Sequence, residues 1–379
     1  MDEVTPGVHD EAGHGGSRDG RVSRRLSLLH RLLVYAAGLS PAGAFASEDG
    51  FAYVDLRELQ WTLDAGLGPL LYRATADAHR RMPEALGDRL RSEDLTARLR
   101  HANLVDTALE VIGACASLQL QPTLLKGISI GEQCYPEAHS RPMGDIDVLI
   151  PAEAYDDVEA AVLALGYARA DGPAVPGLQH GIPIVHPGRN VWVELHTSLF
   201  ADNALLRHNE LFNKSRVAEW SIDAQFHGRS VRRLSDELQL VYIASSWHND
   251  MTNSRIHPSF VASLFDAVYL LKSSGRTLDW DLLVERLDNE MAAASLYVTL
   301  AFLGRRRLAT IPPRALTRIA ARQRFVGPVQ LRIIDAVLDR HLLGAKPWTL
   351  RLPLPVPGRY SVRRQFEKRV LGAWRKARL

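Results

Sequence analysis

The fold of this chain is decided by one stretch near its middle, Arg141-Pro142-Met143-Gly144-Asp145-Ile146-Asp147-Val148-Leu149-Ile150. Two acidic residues flank one apolar residue and lead into an apolar run, which is typical of a buried strand. Because side chains alternate across a strand, Asp145 and Asp147 share one face while Ile146 and Val148 face the core. Adjacent carboxylates repel each other, and burying either one without a partner is costly. The pair therefore predicts a divalent cation site.

A second strand-like segment supplies a third acid. It is Val191-Trp192-Val193-Glu194-Leu195-His196, and Glu194 is expected to complete the site. Three oxygen donors without cysteine suit a hard ion such as Mg²⁺. Two such ions about 3.5–4 Å apart can clamp the attacking and leaving oxygens of a phosphoryl displacement. The alternative is an Asp-x-Asp that merely ends a strand; the glycine turn upstream and the Glu194 strand downstream favour the metal site.

Three segments in this order resemble the uncharacterised nucleotidyltransferase family of the polymerase-beta-like nucleotidyltransferase superfamily. They are Leu125-Lys126-Gly127, the block from Arg141 to Asp147, and Glu194-Leu195-His196. The resemblance covers residues 120–235 best and implies a nucleoside triphosphate donor with two Mg²⁺ ions. The chain departs from the wider superfamily at the glycine turn, Gly127-Ile128-Ser129, which lies further from the aspartate pair than is usual.

The strand pattern and the resemblance together give the catalytic candidates. Asp145 and Asp147 are predicted to hold the ion that carries the triphosphate. Glu194 is predicted to join them around a second ion, which lowers the pKa of the acceptor hydroxyl. His196 lies two residues after Glu194 on the same strand face, so it is predicted to act as a base or as an orienting group. A buried core histidine is the alternative for His196.

Four residues upstream of the acids are predicted to bind the nucleotide. Gly127 allows the backbone to approach phosphate closely, and Ser129 can donate its hydroxyl at the start of the next helix. Lys126 would neutralise phosphate charge, unless it is a strand-end lysine that reaches solvent. Arg141 would pair with the acids when no ligand is bound and would bind the leaving pyrophosphate when one is.

Composition describes an ordinary soluble globular protein, with 379 residues, 46% hydrophobic and 23% charged. The two cysteines, Cys115 and Cys134, form neither a disulfide framework nor a zinc site, which agrees with a reducing cytoplasm. No apolar run approaches the ~18–20 residues that a membrane-spanning helix needs. We therefore expect a cytoplasmic protein of bacterial type. The net charge of +3 gives the body of the protein no general affinity for polyanions.

The order of predicted elements gives an α+β fold, a small mixed-sheet palm flanked by N- and C-terminal helical regions. Strands are expected at 123–126, 145–150, 167–169, 182–186 and 191–199, with an edge strand at 230–234. Helices are expected at 128–135 and 153–166, at 236–247 and 259–273, at 279–296, and from an N-cap at Ser92 to about 118. The predicted regions are 1–25 disordered, 26–119 helical, 120–235 nucleotidyltransferase core, 236–345 helical, and 346–379 a proline-rich connector with a basic amphipathic tail.

The tail is the one strongly charged segment. Between Arg359 and Leu379 it holds eight basic residues against one acidic residue, and an apolar residue recurs every four positions from Val362 to Trp374. Such a helix could bind an anionic membrane surface or RNA. We favour the alternative that its apolar stripe packs on the protein itself.

These observations predict an enzyme that transfers a nucleoside monophosphate from a nucleoside triphosphate to a hydroxyl or phosphate and releases pyrophosphate. The acceptor could be a small molecule, a sugar, a peptide or a protein, and the residues do not select ATP over other nucleotides.

His248 and Asp266 lie where the family pattern often has His and Asp, but their spacing assigns them no chemistry. Two alternatives stay open: a nucleotide-binding or regulatory protein of the same fold without turnover, and RNA modification guided by the tail. The chain has no P-loop and no nucleophile elbow, which argues against those chemistries.

Overall fold

The computed structural model of the chain describes residues 27–39, 55–76, 82–170, 181–200, 214–252, 260–274 and 277–344. Two sequence predictions lie outside these ranges: the disordered start at 1–25, and the connector and tail at 346–379.

A seven-stranded mixed sheet forms the centre of the fold. Its strands are β1 (Thr123–Leu124), β2 (Asp145–Leu149), β3 (Ala168–Arg169), β4 (Ile184–His186), β5 (Val191–His196), β6 (Ser221–Phe226) and β7 (Arg229–Leu234). Their spatial order is β3-β4-β5-β2-β1-β7-β6. Strand β2 runs parallel to β5 and antiparallel to β1, which runs parallel to β7. The predicted α+β class with a mixed sheet is confirmed.

Helices precede, interrupt and follow the sheet. Before it lie α1 (Leu28–Ala36), α2 (Leu56–Asp64), α3 (Gly68–Ala74) and the long α4 (Glu84–Ser117). Between strands lie α5 (Lys126–Cys134), α6 (Tyr155–Ala164) and α7 (Lys214–Glu219). After it lie α8 (Asp236–Thr252), α9 (Phe260–Ser274), α10 (Trp280–Arg286), α11 (Glu290–Arg305), α12 (Pro313–Ala321) and α13 (Pro328–His341). Single 3₁₀ turns occur at Ala138–Ser140 and Ala152–Ala154.

Two apolar cores hold these elements together. In the first, Ile146 and Val148 of β2 are fully buried and pack with apolar residues from the second half of α4 and from α6. In the second, α1, α2 and α3 share one cluster with α8, α9, α11 and the helices that follow. The helices before and after the sheet therefore pack on each other, although more than 150 residues separate α3 from α8. This shared core fixes α8 and α9 beside the sheet.

Two helix boundaries differ from the predictions. The predicted N-cap at Ser92 is wrong, because α4 begins at Glu84 after Pro83 and continues through Ser92. The single helix predicted at 279–296 is also wrong. It is divided into α10 and α11 because the side chain of Asn289 accepts hydrogen bonds from the backbone N–H groups of Met291 and Ala292, which starts a new helix.

The predicted edge strand at 230–234 is a strand, but it is not at the edge. Strand β7 lies between β1 and β6, so β6 forms that edge of the sheet. Most residues of β6 are exposed or half-buried, with only its terminal residues Ser221 and Phe226 buried. Its sequence does alternate, with Ile222, Ala224 and Phe226 apolar between polar residues, so a strand signal was present that the predicted elements did not include.

Among the described residues, no helix combines the length and the apolar character needed to cross a membrane.

Candidate active site

Strands β2 and β5 bring the predicted acids together. In their parallel pairing, the Cα partners are Asp145 with Trp192, Asp147 with Glu194, and Leu149 with His196. Because alternate residues of a strand share a face, the side chains of Asp145, Asp147, Glu194 and His196 project from one side of the sheet. The intervening residues Ile146, Val148, Val193 and Leu195 are buried in the core on the other side.

Three of these side chains form a tight group. One donor atom each from Asp147, Glu194 and His196 lies within 4.8 Å of the others. His196 Nε2 is 2.7 Å from Asp147 Oδ1 and 3.4 Å from Glu194 Oε2, and the histidine side chain is fully buried. Burial acts to lower the pKa of His196, but its hydrogen bonds to Asp147 and Glu194 raise that pKa above its ordinary value. His196 thus belongs to the acidic group rather than to the apolar core.

Asp145 lies beside this group but outside the set within 4.8 Å. Its carboxyl is half-buried, and burial together with the charges of Asp147 and Glu194 raises its pKa to about 6. The carboxylates therefore repel each other even after Lys126 and Arg141 have offset part of their charge. Such a set of oxygen donors fits a hard divalent cation, which would relieve that repulsion.

Lys126 points into the acidic group. Its Nζ atom is 3.0 Å from Asp147 Oδ1. Burial acts against the charge of Lys126, but Tyr242, Asp147 and Glu194 raise its pKa. Burial likewise opposes ionisation of Asp147, yet Lys126 and His196 hold the pKa of that carboxyl below its usual range. The side chain of Lys126 is 34% exposed, and its ammonium group contacts an acid of this group.

The turn before α5 differs in detail from the prediction. Strand β1 ends at Leu124, so the strand does not extend to Lys126. The left-handed backbone conformation falls on Lys126, with φ of 40°, and Gly127 lies inside the first turn of the helix. A Cβ atom on Gly127 would lie 2.5 Å from Arg141 Nη1 and 3.2 Å from Met143 Cβ. The close approach that requires glycine here is therefore to the Arg141 guanidinium.

Arg141 does not pair with the predicted metal-binding acids. Its Nε and Nη2 atoms donate to Asp266 Oδ1 and Oδ2 of α9 at 3.0 and 2.8 Å, and Nη1 donates to the Pro142 carbonyl at 3.0 Å. Tyr135 donates its hydroxyl to the same Asp266 at 2.8 Å. Burial acts to lower the pKa of Arg141, but Asp266 raises it, so the guanidinium stays charged. The predicted pairing of Arg141 with the acids is wrong, because its partner Asp266 lies on α9, which is distant in the sequence.

A cleft of about 480 Å³ lies between these groups and the C-terminal helices. Lys126, Gly127, Arg141, Asp145 and Asp147 line one side of it. The other side is formed by the end of the described segment after β5, by α8 and by α9. The lining residues there are Leu199, Phe200, Gln239, Tyr242, Ile243, Ser246, Ala262, Ser263 and Asp266.

Of the four residues predicted to bind the nucleotide, Ser129 does not line the cleft. It is buried and accepts a hydrogen bond from Gln133 Nε2 at 2.8 Å. Its hydroxyl is therefore not placed to contact a phosphate group in the cleft. His248 lies in α8, but its side chain is outside the described part of the structure.

A second acidic group, Asp94, Glu137 and His139, also has donor atoms within 4.8 Å. Here Arg98 bridges Asp94 and Glu137 at 2.7 and 2.9 Å, and Arg73 also contacts Glu137. Arginine side chains thus supply the positive charge, and the group ties α3 and α4 to the 3₁₀ turn at Ala138–Ser140.

Sequence reasoning missed two features of the cleft. The role of Asp266 as the partner of Arg141 depends on a contact across 125 residues. Gln239, a buried residue of α8, had no signal beyond a polar residue within an apolar helix. The one local indication in the sequence was the position of this amide between Leu238 and Leu240.

The solved structures that match this chain are distant from it. The solution structure of the antibiotic-resistance factor ANT(2'')-Ia is 15% identical, with a TM-score of 0.33, covering 54% of this chain and 92% of that one. The crystal structure of an antigenic nucleotidyltransferase-like protein from Paracoccidioides brasiliensis is 14% identical, with a TM-score of 0.34, covering 57% and 93%.

No curated protein sequence matches this chain. The family model described as uncharacterised nucleotidyltransferase matches residues 57–306, which include the whole sheet, the acidic group and both walls of the cleft. The match agrees with the resemblance seen in the three sequence segments. The chain belongs to the uncharacterised nucleotidyltransferase family.

Proposed function

We propose that the protein transfers a nucleoside monophosphate from a nucleoside triphosphate to an acceptor hydroxyl or phosphate and releases pyrophosphate. The observation that carries the proposal is the pairing of Asp147 with Glu194 on adjacent parallel strands, with their donor atoms and that of His196 within 4.8 Å. The proposed donor set for divalent cations is Asp145, Asp147 and Glu194. Two Mg²⁺ ions bound there would polarise the reacting phosphoryl group and lower the pKa of the acceptor hydroxyl.

The two cationic side chains that line the described cleft are proposed to bind the phosphates. Lys126 already contacts Asp147, so a triphosphate beside that acid would lie within reach of its ammonium group. Arg141 is held by Asp266, yet its guanidinium has five N–H donors and the described hydrogen bonds use three of them. The two remaining N–H donors are available to the leaving pyrophosphate. Gly127 has no Cβ atom, which leaves room for the guanidinium that carries these donors.

His196 is proposed to orient the acids rather than to act as a base. Its side chain is fully buried, and its Nε2 atom contacts both Asp147 and Glu194. With no exposed atom, the imidazole is not placed to contact directly an acceptor that enters the cleft from solvent. It can fix the carboxylates in place, as groups behind metal ligands commonly do.

One observation favours the alternative of a nucleotide-binding protein without turnover. Lys126 and His196 both contact Asp147 Oδ1, so protein groups already balance the charge of this acid. Nucleotide binding that depends on Mg²⁺ but releases no pyrophosphate would support that alternative.

The proposal is tested by incubating the protein with α-³²P-labelled nucleoside triphosphates, Mg²⁺ and cell extract. The native protein is expected to transfer label to one class of molecule and to release pyrophosphate. The variant Asp145→Asn/Asp147→Asn is expected to transfer none. Equal labelling by the native protein and the variant would contradict the proposal, and the labelled product would identify the acceptor.

A further inference from the structure

We propose that Gln239 of α8 hydrogen-bonds to the nucleoside part of the bound nucleoside triphosphate through its side-chain amide. This inference rests on the proposed nucleotide-binding function and assigns a part of the ligand to one wall of the cleft.

The Nε2 atom of the Gln239 amide is buried and has no hydrogen-bond partner among the described residues. The residue as a whole is only 4% exposed. A buried amide donor that makes no hydrogen bond destabilises the folded protein, so nearly all such groups are paired. Gln239 also lines the cleft. The missing partner is therefore expected to be a ligand in the cleft.

The charges of the cleft indicate which part of the ligand this is. Lys126 and Arg141, the cations among the described lining residues, lie on the β2 and α5 side with the acids. The α8 wall offers Gln239, Tyr242, Ile243 and Ser246, which include neither a basic residue nor a carboxylate. The positive charges of Lys126 and Arg141 complement the negative charge of a triphosphate, so the uncharged part of the nucleotide faces α8.

The α8 wall also has the character of a nucleoside site. Phe200 and Tyr242 pack edge to face, with ring centroids 5.3 Å apart, and Leu199 and Ile243 line the same wall. Such a surface suits the apolar faces of a base or sugar, while one amide can recognise a polar atom at its edge. An N–H donor from Gln239 would pair with a ring nitrogen, a carbonyl oxygen or a ribose oxygen.

The test compares the native protein with Gln239→Met by calorimetric titration. The ligands are Mg²⁺ complexes of ATP, GTP, CTP and UTP, of which the tightest binder is used for the comparison, and Mg²⁺ tripolyphosphate, which lacks the nucleoside. We expect Gln239→Met to weaken nucleotide binding at least about tenfold and to leave tripolyphosphate binding unchanged. Its Tm without ligand should rise, because the buried unpaired amide is gone.

Gln323→Met is the matched control. The Gln323 amide donates to the Val326 carbonyl at 2.9 Å and lies outside the cleft lining, so this variant should lower Tm and leave nucleotide affinity unchanged. Gln239→Leu provides a second apolar substitution should the methionine variant fold poorly.

The possible results separate this inference from the proposed function. If the native protein binds a nucleotide and Gln239→Met binds it equally well, the inference is overturned and the proposed function stands. An equal loss of affinity for nucleotide and for tripolyphosphate would indicate that the Gln239 amide contacts the phosphates, and it would overturn the nucleoside assignment. If the native protein binds none of the four nucleotides with Mg²⁺, both proposals fail.

Discussion

Arg141 and Asp266, 125 residues apart in the chain, are joined by two hydrogen bonds of 3.0 and 2.8 Å. Asp266 is 1% exposed, and Tyr135 donates a third hydrogen bond to it. The pair connects the loop that precedes the aspartate strand to the helix that forms the opposite wall of the cleft. This buried ion pair therefore fixes the position of the Arg141 guanidinium and adds to the apolar core in holding α9 across the cleft.

Removing one partner of this pair should be strongly destabilising. Asp266→Asn leaves the Arg141 charge buried without a counter-charge, so the free energy of unfolding should fall by about 3–5 kcal/mol in urea titrations. Asp223→Asn is the matched control, because Asp223 is 86% exposed and 4.0 Å from Arg232. That control should change the free energy of unfolding by less than about 1 kcal/mol. Similar losses in the two variants would contradict the importance of the buried pair.

Two glycines of this chain should respond to alanine with opposite signs. At Gly127 the new Cβ would lie 2.5 Å from Arg141 Nη1, so Gly127→Ala should displace the guanidinium, destabilise the protein by about 1–3 kcal/mol and weaken nucleotide binding. Gly113 lies within α4 with nothing within 4 Å of a built Cβ. Gly113→Ala should therefore stabilise by about 0.5–1 kcal/mol. Thermal unfolding of both variants tests this, and a stabilising Gly127→Ala would contradict the described packing.

The raised pKa of Asp145 should appear in the pH dependence of stability. Its pKa of about 6 lies above the usual range, so the folded protein binds this proton more tightly than the unfolded chain does. The resulting stabilisation is present below the unfolded pKa near ~4 and is lost as pH rises through about 6. Asp145→Asn cannot ionise and avoids that loss.

In EDTA, Asp145→Asn should therefore gain stability relative to the native protein between pH 4.5 and pH 7.5, by on the order of 1 kcal/mol. Urea unfolding midpoints across this pH range provide the measurement. Parallel pH profiles for the two proteins would show that the acids do not repel each other as described.

The local patterns of the sequence predicted the parts of the site that depend on strand periodicity. Asp145 and Asp147 share a face of β2 because residues two apart must do so, and the buried Ile146 and Val148 fix which face that is. The Glu194 strand was expected nearby from the same alternation and from the family resemblance. Its register beside β2, which sets Glu194 opposite Asp147, required the structure.

The missed features depend on contacts between distant segments. Nothing around Arg141 indicates that its partner is Asp266 on α9, since the pairing follows from how the apolar core shared by the N- and C-terminal helices fixes α9 beside the sheet. Strand β6 is an exception, because the alternation of Ile222, Ala224 and Phe226 with polar residues was available in the sequence. The break before α11 depends on a single asparagine cap within a continuous apolar pattern, which helical periodicity does not register.

The central claim is that Asp145, Asp147 and Glu194 bind divalent cations, and Mn²⁺ titration followed by electron paramagnetic resonance tests it most directly. With a non-hydrolysable nucleoside triphosphate analogue, the native protein is predicted to bind two Mn²⁺ ions per chain. Glu194→Gln should retain one, Asp145→Asn/Asp147→Asn should retain neither, and Glu137→Gln in the arginine-paired group should behave as native. Native-like Mn²⁺ binding by the double aspartate variant would contradict the claim.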